Sequence, residues 1–416
     1  MRTAVLIAML LQFPLLIREV GVLQVQKGLE FTLADDLASG IPRIIVFEDS
    51  AASRESYLKV FGPQGDKLFQ HPFSGRMYAS KTFQRQNKIF FFSGKLYFLD
   101  LATFHLDSVA LMREDYRGLT WVTTGKRDVL IASYADGIDL FDLQTVTLVQ
   151  EIKRDEEIRL AANVPVEDNG VMIFQSKENE LRGYDLASSR ILWSYSFGSQ
   201  PGYYLGIKIG TARDIISHFA VVRENEKPAV VAASFSGTLV KLDLHTGRVI
   251  LKKERFKGTG NNAGLIGHFT MLDMNGDGVQ DLVGGSVDYN VYCINGKDFS
   301  VLWEYNTGYE NQMPCSFADV NGDGTPDVFS VNDEYRFTVL DGKTGKLIYE
   351  TIVQEGVKKG WNQTKVLLAD LNNNGLLDVI VKGGWDKLRI FELREVRVPK
   401  NAIVWIPGRY PTTQVR

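Results

Sequence analysis

The sequence has few of the residues on which disulfide frameworks and most transition-metal sites depend. Its 416 residues include only two cysteines, Cys293 and Cys315, and five histidines. Two cysteines exclude a multi-disulfide scaffold and a cysteine-based zinc cluster, and no two histidines have the HxxxH or HExxH spacing of a metal helix. The two thiols are either buried and free or joined to each other, and the sequence leaves both alternatives open.

The sequence also lacks an excess of positive charge. Its 47 basic and 50 acidic side chains give a formal net charge of −3, which argues against nucleic acid as a partner. Beyond the amino terminus, no segment reaches the roughly 18 uninterrupted apolar residues of a membrane-spanning helix, so we expect a soluble body. A hydrophobic fraction of 44% and a charged fraction of 23% are typical of a packed globular protein.

The amino terminus has the layout of a secretory signal. In residues 1–17, one arginine precedes an apolar run that only one glutamine and one proline interrupt. We therefore predict that residues 1–22 are a signal peptide or an uncleaved membrane anchor, and that the protein is secreted, periplasmic or on the cell surface. Because Arg18 and Glu19 follow directly and no A-x-A cleavage site is visible, a structural segment of an intracellular scaffold stays open as an alternative.

One short unit recurs through the chain at intervals of about 40 to 60 residues. It consists of a strand that ends in Asp or Asn, a turn rich in Gly, Thr or Ser, and a second short strand. Weaker copies stand at 59–69 and 389–393, and we attribute the longest interval to an insertion around residues 211–228. The turn residues of the clear copies are Asp100, Asp142, Asp185, Asp243, Asn295 and Asp341.

Apolar, β-branched strands precede each of these hairpins, for example at 128–134, 281–286 and 378–383. Short, evenly spaced strands without amphipathic helices predict an all-β fold, a single β-propeller of seven or eight four-stranded blades over residues 23–416. A blade cannot bury both of its faces alone, so the units should form one ring. We expect the chain ends to close it, with the AIVWI sequence of segment 396–416 pairing near the first blade.

Three loops in the last units, approximately residues 260–395, have the pattern of a calcium site. They read DMNGDGVQD (273–281), DVNGDGTPD (319–327) and DLNNNGLLD (370–378). Each has oxygen side chains at positions 1, 3, 5 and 9, a glycine at position 6, and a carbonyl at position 7 that could add a ligand. The predicted ligands are Asp273, Asn275, Asp277, Val279 and Asp281; Asp319, Asn321, Asp323, Thr325 and Asp327; and Asp370, Asn372, Asn374, Leu376 and Asp378.

These loops differ from an EF-hand, because strands flank them and no glutamate occupies position 12. Up to three Ca²⁺ ions are predicted, and the third loop should bind more weakly because Asn replaces Asp at position 5. An eroded copy at residues 34–44 has Leu37 at position 3 and Arg43 at position 9, which should abolish binding.

The calcium loops resemble the FG-GAP/VCBS-type β-propeller repeat of integrin α-subunits and many secreted bacterial proteins. The hairpins, most clearly VLDGKTGKLIY (339–349), are similar to the repeats of quinoprotein-like propellers. The resemblance implies calcium in the loops between the first strands of a blade. It also implies that the ion has a structural role, while the faces of the ring bind partners.

From these features we expect an exported, calcium-stabilised scaffold that binds a protein or glycan and has no catalytic residues. The alternative is an enzyme on the same fold, either a polysaccharide lyase or a quinone-dependent dehydrogenase. The missing vicinal cysteines disfavour the dehydrogenase, and the lack of an identifiable base disfavours the lyase.

Overall fold

The computed structural model describes residues 17–24, 30–49, 55–74, 82–116, 118–124, 127–134, 137–153, 158–160, 170–176, 179–186, 188, 190–204, 207–224, 227–254, 266–311, 314–353, 365–383 and 387–397. The predicted leader up to residue 16 and the AIVWI strand lie outside these residues. Every regular element in the described part of the chain is a β-strand, so none of its elements is a helix long and apolar enough to cross a membrane.

Each blade is an antiparallel sheet of four strands, and in blades 1 to 7 the order of the strands in space follows their order along the chain. The first strand of the chain, β1 (Ile17–Gln24), belongs to the last blade. Blade 1 contains β2 (Glu30–Asp36), β3 (Ile41–Asp49), β4 (Glu55–Phe61) and β5 (Lys67–Ser74). Blade 2 contains β6 (Thr82–Arg85), β7 (Lys88–Phe92), β8 (Leu96–Asp100) and β9 (Leu106–Val109). Blade 3 contains β10 (Gly118–Thr124), β11 (Arg127–Tyr134), β12 (Gly137–Asp142) and β13 (Thr147–Lys153). Blade 4 contains β14 (Ile158–Leu160), β15 (Val171–Ser176), β16 (Leu181–Asp185) and β17 (Arg190–Tyr195).

A two-stranded hairpin, β18 (Ser199–Tyr204) and β19 (Ile207–Arg213), separates the two halves of the chain. Blade 5 contains β20 (Ile216–Glu224), β21 (Lys227–Ser234), β22 (Leu239–Asp243) and β23 (Val249–Lys253). Blade 6 contains β24 (Ile266–Leu272), β25 (Asp281–Ser286), β26 (Asn290–Ile294) and β27 (Val301–Asn306). Blade 7 contains β28 (Ser316–Ala318), β29 (Asp327–Val331), β30 (Arg336–Leu340) and β31 (Leu347–Ile352). Blade 8 contains β32 (Val366–Ala369), β33 (Leu376–Lys382), β34 (Lys387–Arg397) and, as its fourth strand, β1.

The blades form one closed ring, as the repeat predicts. Eight clusters of buried apolar side chains lie between them, and each cluster draws its residues from two neighbouring blades. One cluster joins Leu367 and Ile380 of blade 8 to Phe31 and Ile44 of blade 1. The hydrophobic core therefore lies in the interfaces between blades. The sequence left the number of blades at seven or eight, and the structure has eight.

The ring is closed by the amino-terminal strand. β1 pairs antiparallel with β34, from Ile17 opposite Leu393 to Gln24 opposite Lys387. Leu23 of β1 is buried in the cluster shared by blades 8 and 1. Closure by the chain ends is thus confirmed for the amino-terminal side, and residues 17–22, which the sequence assigns to the leader segment, lie in this strand.

The predicted insertion around residues 211–228 is wrong in its position. Residues 216–224 and 227–234 form the first two strands of blade 5, and the additional element is the β18–β19 hairpin before them. The error arose because the first strand of blade 5 carries polar residues such as His218 and Arg223, so its pattern is less clearly that of a buried strand.

Tryptophan side chains connect successive blades on the outer side of the ring. The Trp193 Nε1 of blade 4 donates a 2.7 Å hydrogen bond to the Leu244 carbonyl of blade 5. Its ring lies against Gly247, which has a φ of 65° and no room for a Cβ. This glycine is thus required both for its backbone conformation and for the close approach of the indole.

Candidate functional site

The three predicted calcium loops occupy the same place in three consecutive blades. Each joins the first strand of its blade to the second: 273–281 in blade 6 (loop 6), 319–327 in blade 7 (loop 7) and 370–378 in blade 8 (loop 8). All first strands end at one face of the ring, which we call the lower face. The turns between the third and fourth strands of blades 6 and 7 emerge at that same face, because strands alternate in direction.

The side chain at position 1 organises each loop. In loop 6, the two carboxylate oxygens of Asp273 accept hydrogen bonds from the backbone amides of Gly276, at 2.8 Å, and Gly278, at 2.9 Å. In loop 7, Asp319 accepts from the amides of Gly322 and Gly324, and in loop 8, Asp370 accepts from those of Asn374 and Gly375. The backbone is thus folded around the first carboxylate in all three loops.

Positions 3 and 5 repeat the same arrangement. Asn275 Oδ1 accepts from the Asp277 amide at 2.9 Å, and Asp277 Oδ1 accepts from the Val279 amide at 2.9 Å. Loops 7 and 8 make the equivalent contacts within 0.1 Å of these distances. The residues concerned are Asn321, Asp323, Thr325, Asn372, Asn374 and Leu376. Positions 3 and 5 are exposed in all three loops, whereas position 1 is exposed in loop 6 and half-buried in loops 7 and 8.

The carboxylate at position 9 is buried in every loop, where Asp281 and Asp327 are fully buried and Asp378 is 1% exposed. Its Oδ2 accepts from the amide of position 2: Met274 at 3.0 Å in loop 6, Val320 at 2.9 Å in loop 7 and Leu371 at 2.8 Å in loop 8. Burial raises the pKa of Asp327 and of Asp378 to about 7 and raises that of Asp281 as well. A nearby cation would oppose this shift.

The second oxygen of position 9 distinguishes the loops. Asp281 Oδ1 accepts from the Gly296 amide at 2.9 Å, and Asp327 Oδ1 accepts from the Gly342 amide at 3.0 Å. These glycines stand in the turn between the third and fourth strands of the same blade, and a Cβ on either would collide with a loop carbonyl. Asp378 Oδ1 is buried and has no hydrogen-bond partner.

The loops offer oxygen ligands only, which are the donors that Ca²⁺ prefers. Among the described residues, no three His, Cys, Asp or Glu side chains lie close enough together to hold a metal by themselves. A site here would therefore also need the Asn oxygens of position 3 and backbone carbonyls such as that of position 7. The unpartnered oxygen of Asp378 fits such a site, because a buried acceptor without a partner is costly.

The eroded copy lies in the equivalent loop of blade 1, between β2 and β3. The guanidinium of Arg43, at position 9, forms an ion pair with Asp36 at 2.8 Å. Burial alone would raise the pKa of Asp36, but hydrogen bonds from Ser39 and Arg43 outweigh it, and the pKa is lowered. A protein cation thus already compensates the acidic group of this loop.

Sequence reasoning missed three side chains that contact the loops from outside the nine-residue motif. Lys297 and Asp341 come from the turn after the third strand of blades 6 and 7, and Glu392 comes from β34 of blade 8. Asn295 and Asp341 were visible as repeat turn residues, which is the signal that could have drawn attention to this turn.

The two cysteines are free and buried. Both belong to the cluster between blades 6 and 7. Burial raises the pKa of both thiols, that of Cys315 to about 12. Of the two alternatives left open by the sequence, the structure has two buried free thiols.

Comparison with known proteins identifies the repeats in this region. The FG-GAP-like repeat matches residues 273–330 and 319–381, so the chain carries FG-GAP-like repeats in blades 6 to 8. This confirms the resemblance for the part of the chain that contains the three loops. The comparison with curated proteins finds no match to the sequence.

Two solved structures share the fold. The computationally designed Ika8 protein has a TM-score of 0.60 at 13% identity, over 90% of this chain and 99% of Ika8. BamB from Moraxella catarrhalis has a TM-score of 0.55 at 14% identity, over 92% of this chain and 100% of BamB. At these identities the likeness concerns the fold alone.

Proposed function

We propose that this eight-bladed propeller with FG-GAP-like repeats is an exported scaffold, stabilised by calcium, that binds a protein or glycan without catalysing a reaction. The observation that carries the proposal is the repeated loop geometry. Three consecutive blades fold their lower-face loops around the same carboxylate in the same hydrogen-bond pattern. One such loop would be an ordinary turn, but three equivalent loops indicate a shared ligand.

The loops would hold the ion through the residues at positions 1, 3, 5 and 9 and the position 7 carbonyl. The ion would supply positive charge next to carboxylates that burial now disfavours in their charged form. In blades 6 and 7, the protein's own contribution is to anchor the loop through its ninth residue. Asp281 and Asp327 bond the loop to the turn between the third and fourth strands of the same blade. Ion binding would therefore stiffen both the loop and that turn on the lower face.

Export is supported by the apolar amino-terminal run, and a calcium-rich compartment would keep loops of this kind occupied. Calcium sites of extracellular modules have Kd values of roughly 10⁻⁴–10⁻³ M. Because β1 begins at Ile17 and completes blade 8, we place the end of any cleaved leader before Ile17. Amino-terminal sequencing of the mature protein tests this boundary, and cleavage within residues 17–24 would contradict it.

The binding role is tested by capture from the source's own envelope and medium. The mature protein is immobilised in calcium, and bound material is eluted with EDTA and analysed by mass spectrometry and sugar analysis. The control is a variant with Asp277→Asn, Asp323→Asn and Asp370→Asn, one change in each loop. We expect a specific protein or glycan that elutes with EDTA from the wild type and is absent from the control.

An empty eluate from correctly folded protein would contradict the scaffold. Release of unsaturated sugars from polysaccharides, or the absorbance of a bound quinone, would instead establish one of the enzymatic alternatives on this fold.

A further inference from the structure

Each calcium loop contacts one side chain from the third strand of its blade or the turn that follows it. The Lys297 Nζ lies 3.1 Å from Asp277 Oδ2 in loop 6. In loop 7, Asn321 donates a 2.9 Å hydrogen bond from Nδ2 to Asp341 Oδ2. In loop 8, Asn374 donates a 2.8 Å hydrogen bond from Nδ2 to Glu392 Oε2. Lys297 is positive, whereas Asp341 and Glu392 are negative, although the loops themselves are nearly identical.

The added side chains change the charge balance of the loops. Loop 6 has Asp at positions 1, 5 and 9, but Lys297 offsets one of these charges. Loop 7 has the same three carboxylates and gains a fourth from Asp341. Loop 8 has Asp only at positions 1 and 9, and Glu392 restores a third carboxylate. Counted with these partners, loop 7 is the most negative and loop 6 the least.

Loop 8 also differs at position 9. Of the three loops in the described part of the chain, it alone has a ninth-residue carboxylate oxygen without a hydrogen-bond partner. In loops 6 and 7, the Oδ1 of the ninth residue accepts a hydrogen bond from the amide of a glycine in the turn between the third and fourth strands. Blade 8 takes its fourth strand from the amino terminus, so β34 continues as a long strand where the other blades have this turn. Asp378 Oδ1 is consequently buried without a hydrogen-bond partner.

In blade 1, a positively charged side chain of the protein neutralises an acidic group of the equivalent loop. There, Arg43 pairs with Asp36 at 2.8 Å in the equivalent position between first and second strands. Lys297 likewise offsets the charge of Asp277, but at the longer distance of 3.1 Å. Because its side chain is about half exposed, it can leave the loop.

We propose that Lys297, Asp341 and Glu392 set the order of calcium affinity, with loop 7 the tightest, loop 8 next and loop 6 the weakest. This inference rests on the proposed calcium binding and reverses the order that the nine-residue motifs alone predict for loops 6 and 8. Lys297 must leave Asp277 when an ion binds, which costs affinity in loop 6. Glu392 supplies the charge that Asn374, at position 5, lacks in loop 8.

The test is a calcium titration of the full protein by calorimetry, with native mass spectrometry to count bound ions. Lys297→Gln removes the competing charge, and Glu392→Gln removes a carboxylate while its amide oxygen can still accept from Asn374. Two matched controls carry the same charge changes. Lys343→Gln alters the lysine at the corresponding position of blade 7, and Asp107→Asn alters an exposed carboxylate of blade 2.

We expect three successive binding steps in the wild type. Lys297→Gln should tighten the weakest step roughly tenfold, and Glu392→Gln should weaken one of the other steps by a similar factor. Both controls should stay within about twofold of the wild type. Asp107 lies in blade 2, far from the loops, and Lys343 is exposed to screening by salt and is not paired with a carboxylate of loop 7 as Lys297 is with Asp277.

The outcomes separate the two proposals. If the wild type binds no calcium, the proposed function itself fails. If it binds three ions but Lys297→Gln and Glu392→Gln leave every step unchanged, calcium binding stands and this inference is overturned. Thermal unfolding in EDTA shows that each variant is folded, so a change in affinity cannot be mistaken for loss of structure.

Discussion

The indole Nε1 of Trp303 donates a 2.8 Å hydrogen bond to the carbonyl oxygen of Gly342 in the next blade. The amide of the same glycine donates a 3.0 Å hydrogen bond to Asp327 Oδ1, the buried ninth carboxylate of loop 7. A single residue thus connects blade 6, the turn of blade 7 and loop 7. The stability of the interface between these blades and the state of the loop should therefore be linked.

Trp303→Phe should lower the free energy of unfolding by about 1–3 kcal/mol, because it leaves the buried Gly342 carbonyl without its donor. It should also lower the stabilisation that calcium provides. Trp193→Phe is the matched control, because Trp193 makes the same contact with Leu244 of blade 5, which has no calcium loop. Urea unfolding of both variants with and without calcium measures the effect, and an equal response to calcium in the two variants would contradict the link.

Removal of the amino-terminal strand should open the ring. A protein that begins at Ile17 keeps β1, the burial of Leu23 and the ion pair between Glu19 and Arg389. A protein that begins at residue 25 loses them and exposes the edge of β34, so it should lose several kcal/mol, of which the buried leucine alone accounts for about 2–5 kcal/mol. Thermal unfolding by circular dichroism compares the two, and identical transitions would show that β1 does not close the ring.

Acid should destabilise the interface between blades 5 and 6 through His218. Its ring lies 5.0 Å from that of His268 between ring centroids, and burial, together with His268, lowers the pKa of His218 well below its ordinary value. The unfolded chain takes up a proton near pH 6.5 and the folded chain does not, so the contribution of His218 to stability is lost as the pH falls below that value.

The loss from His218 should approach about 1.4 kcal/mol for each pH unit below 6.5. The buried carboxylates Asp327 and Asp378, whose pKa values burial raises to about 7, contribute the opposite trend in both proteins. The slopes of the wild type and of His218→Asn should therefore differ by the loss from His218, whatever the effect of the substitution at neutral pH. Urea unfolding between pH 7.5 and 5.5 in EDTA measures the slope for both proteins. A variant with the same slope as the wild type would show that another group controls the acid response.

Much of the fold could be predicted from the repeat. The turns after Asp100, Asp142, Asp243 and Asp341 join the third and fourth strands of their blades, because the Asp side chain caps the turn it begins. The closing strand was harder to assign. A short apolar segment has the same composition in a leader and in a strand, and only its pairing with β34, far along the chain, distinguishes the two.

The three loops could be recognised as candidate calcium sites in sequence because their oxygen side chains lie within nine residues, but the surroundings of the loops could not. Lys297 contacts Asp277 only because the antiparallel register of blade 6 brings the turn after β26 beside the loop before β25. Glu392 reaches Asn374 in the same way through the pairing of β33 with β34. Such contacts depend on strand register, which the spacing of a motif does not contain.

We propose that the lower-face loops hold calcium and that the ion stabilises the propeller. Thermal unfolding of the wild type and of Asp323→Ala, in calcium and in EDTA, tests this proposal. At a calcium concentration of 100 times Kd, each occupied site should add about 2.7 kcal/mol. We predict that calcium raises the melting temperature of the wild type, and that Asp323→Ala lowers it much more in calcium than in EDTA. Equal melting temperatures of the wild type in the two conditions, or equal losses for the variant in both, would contradict the account.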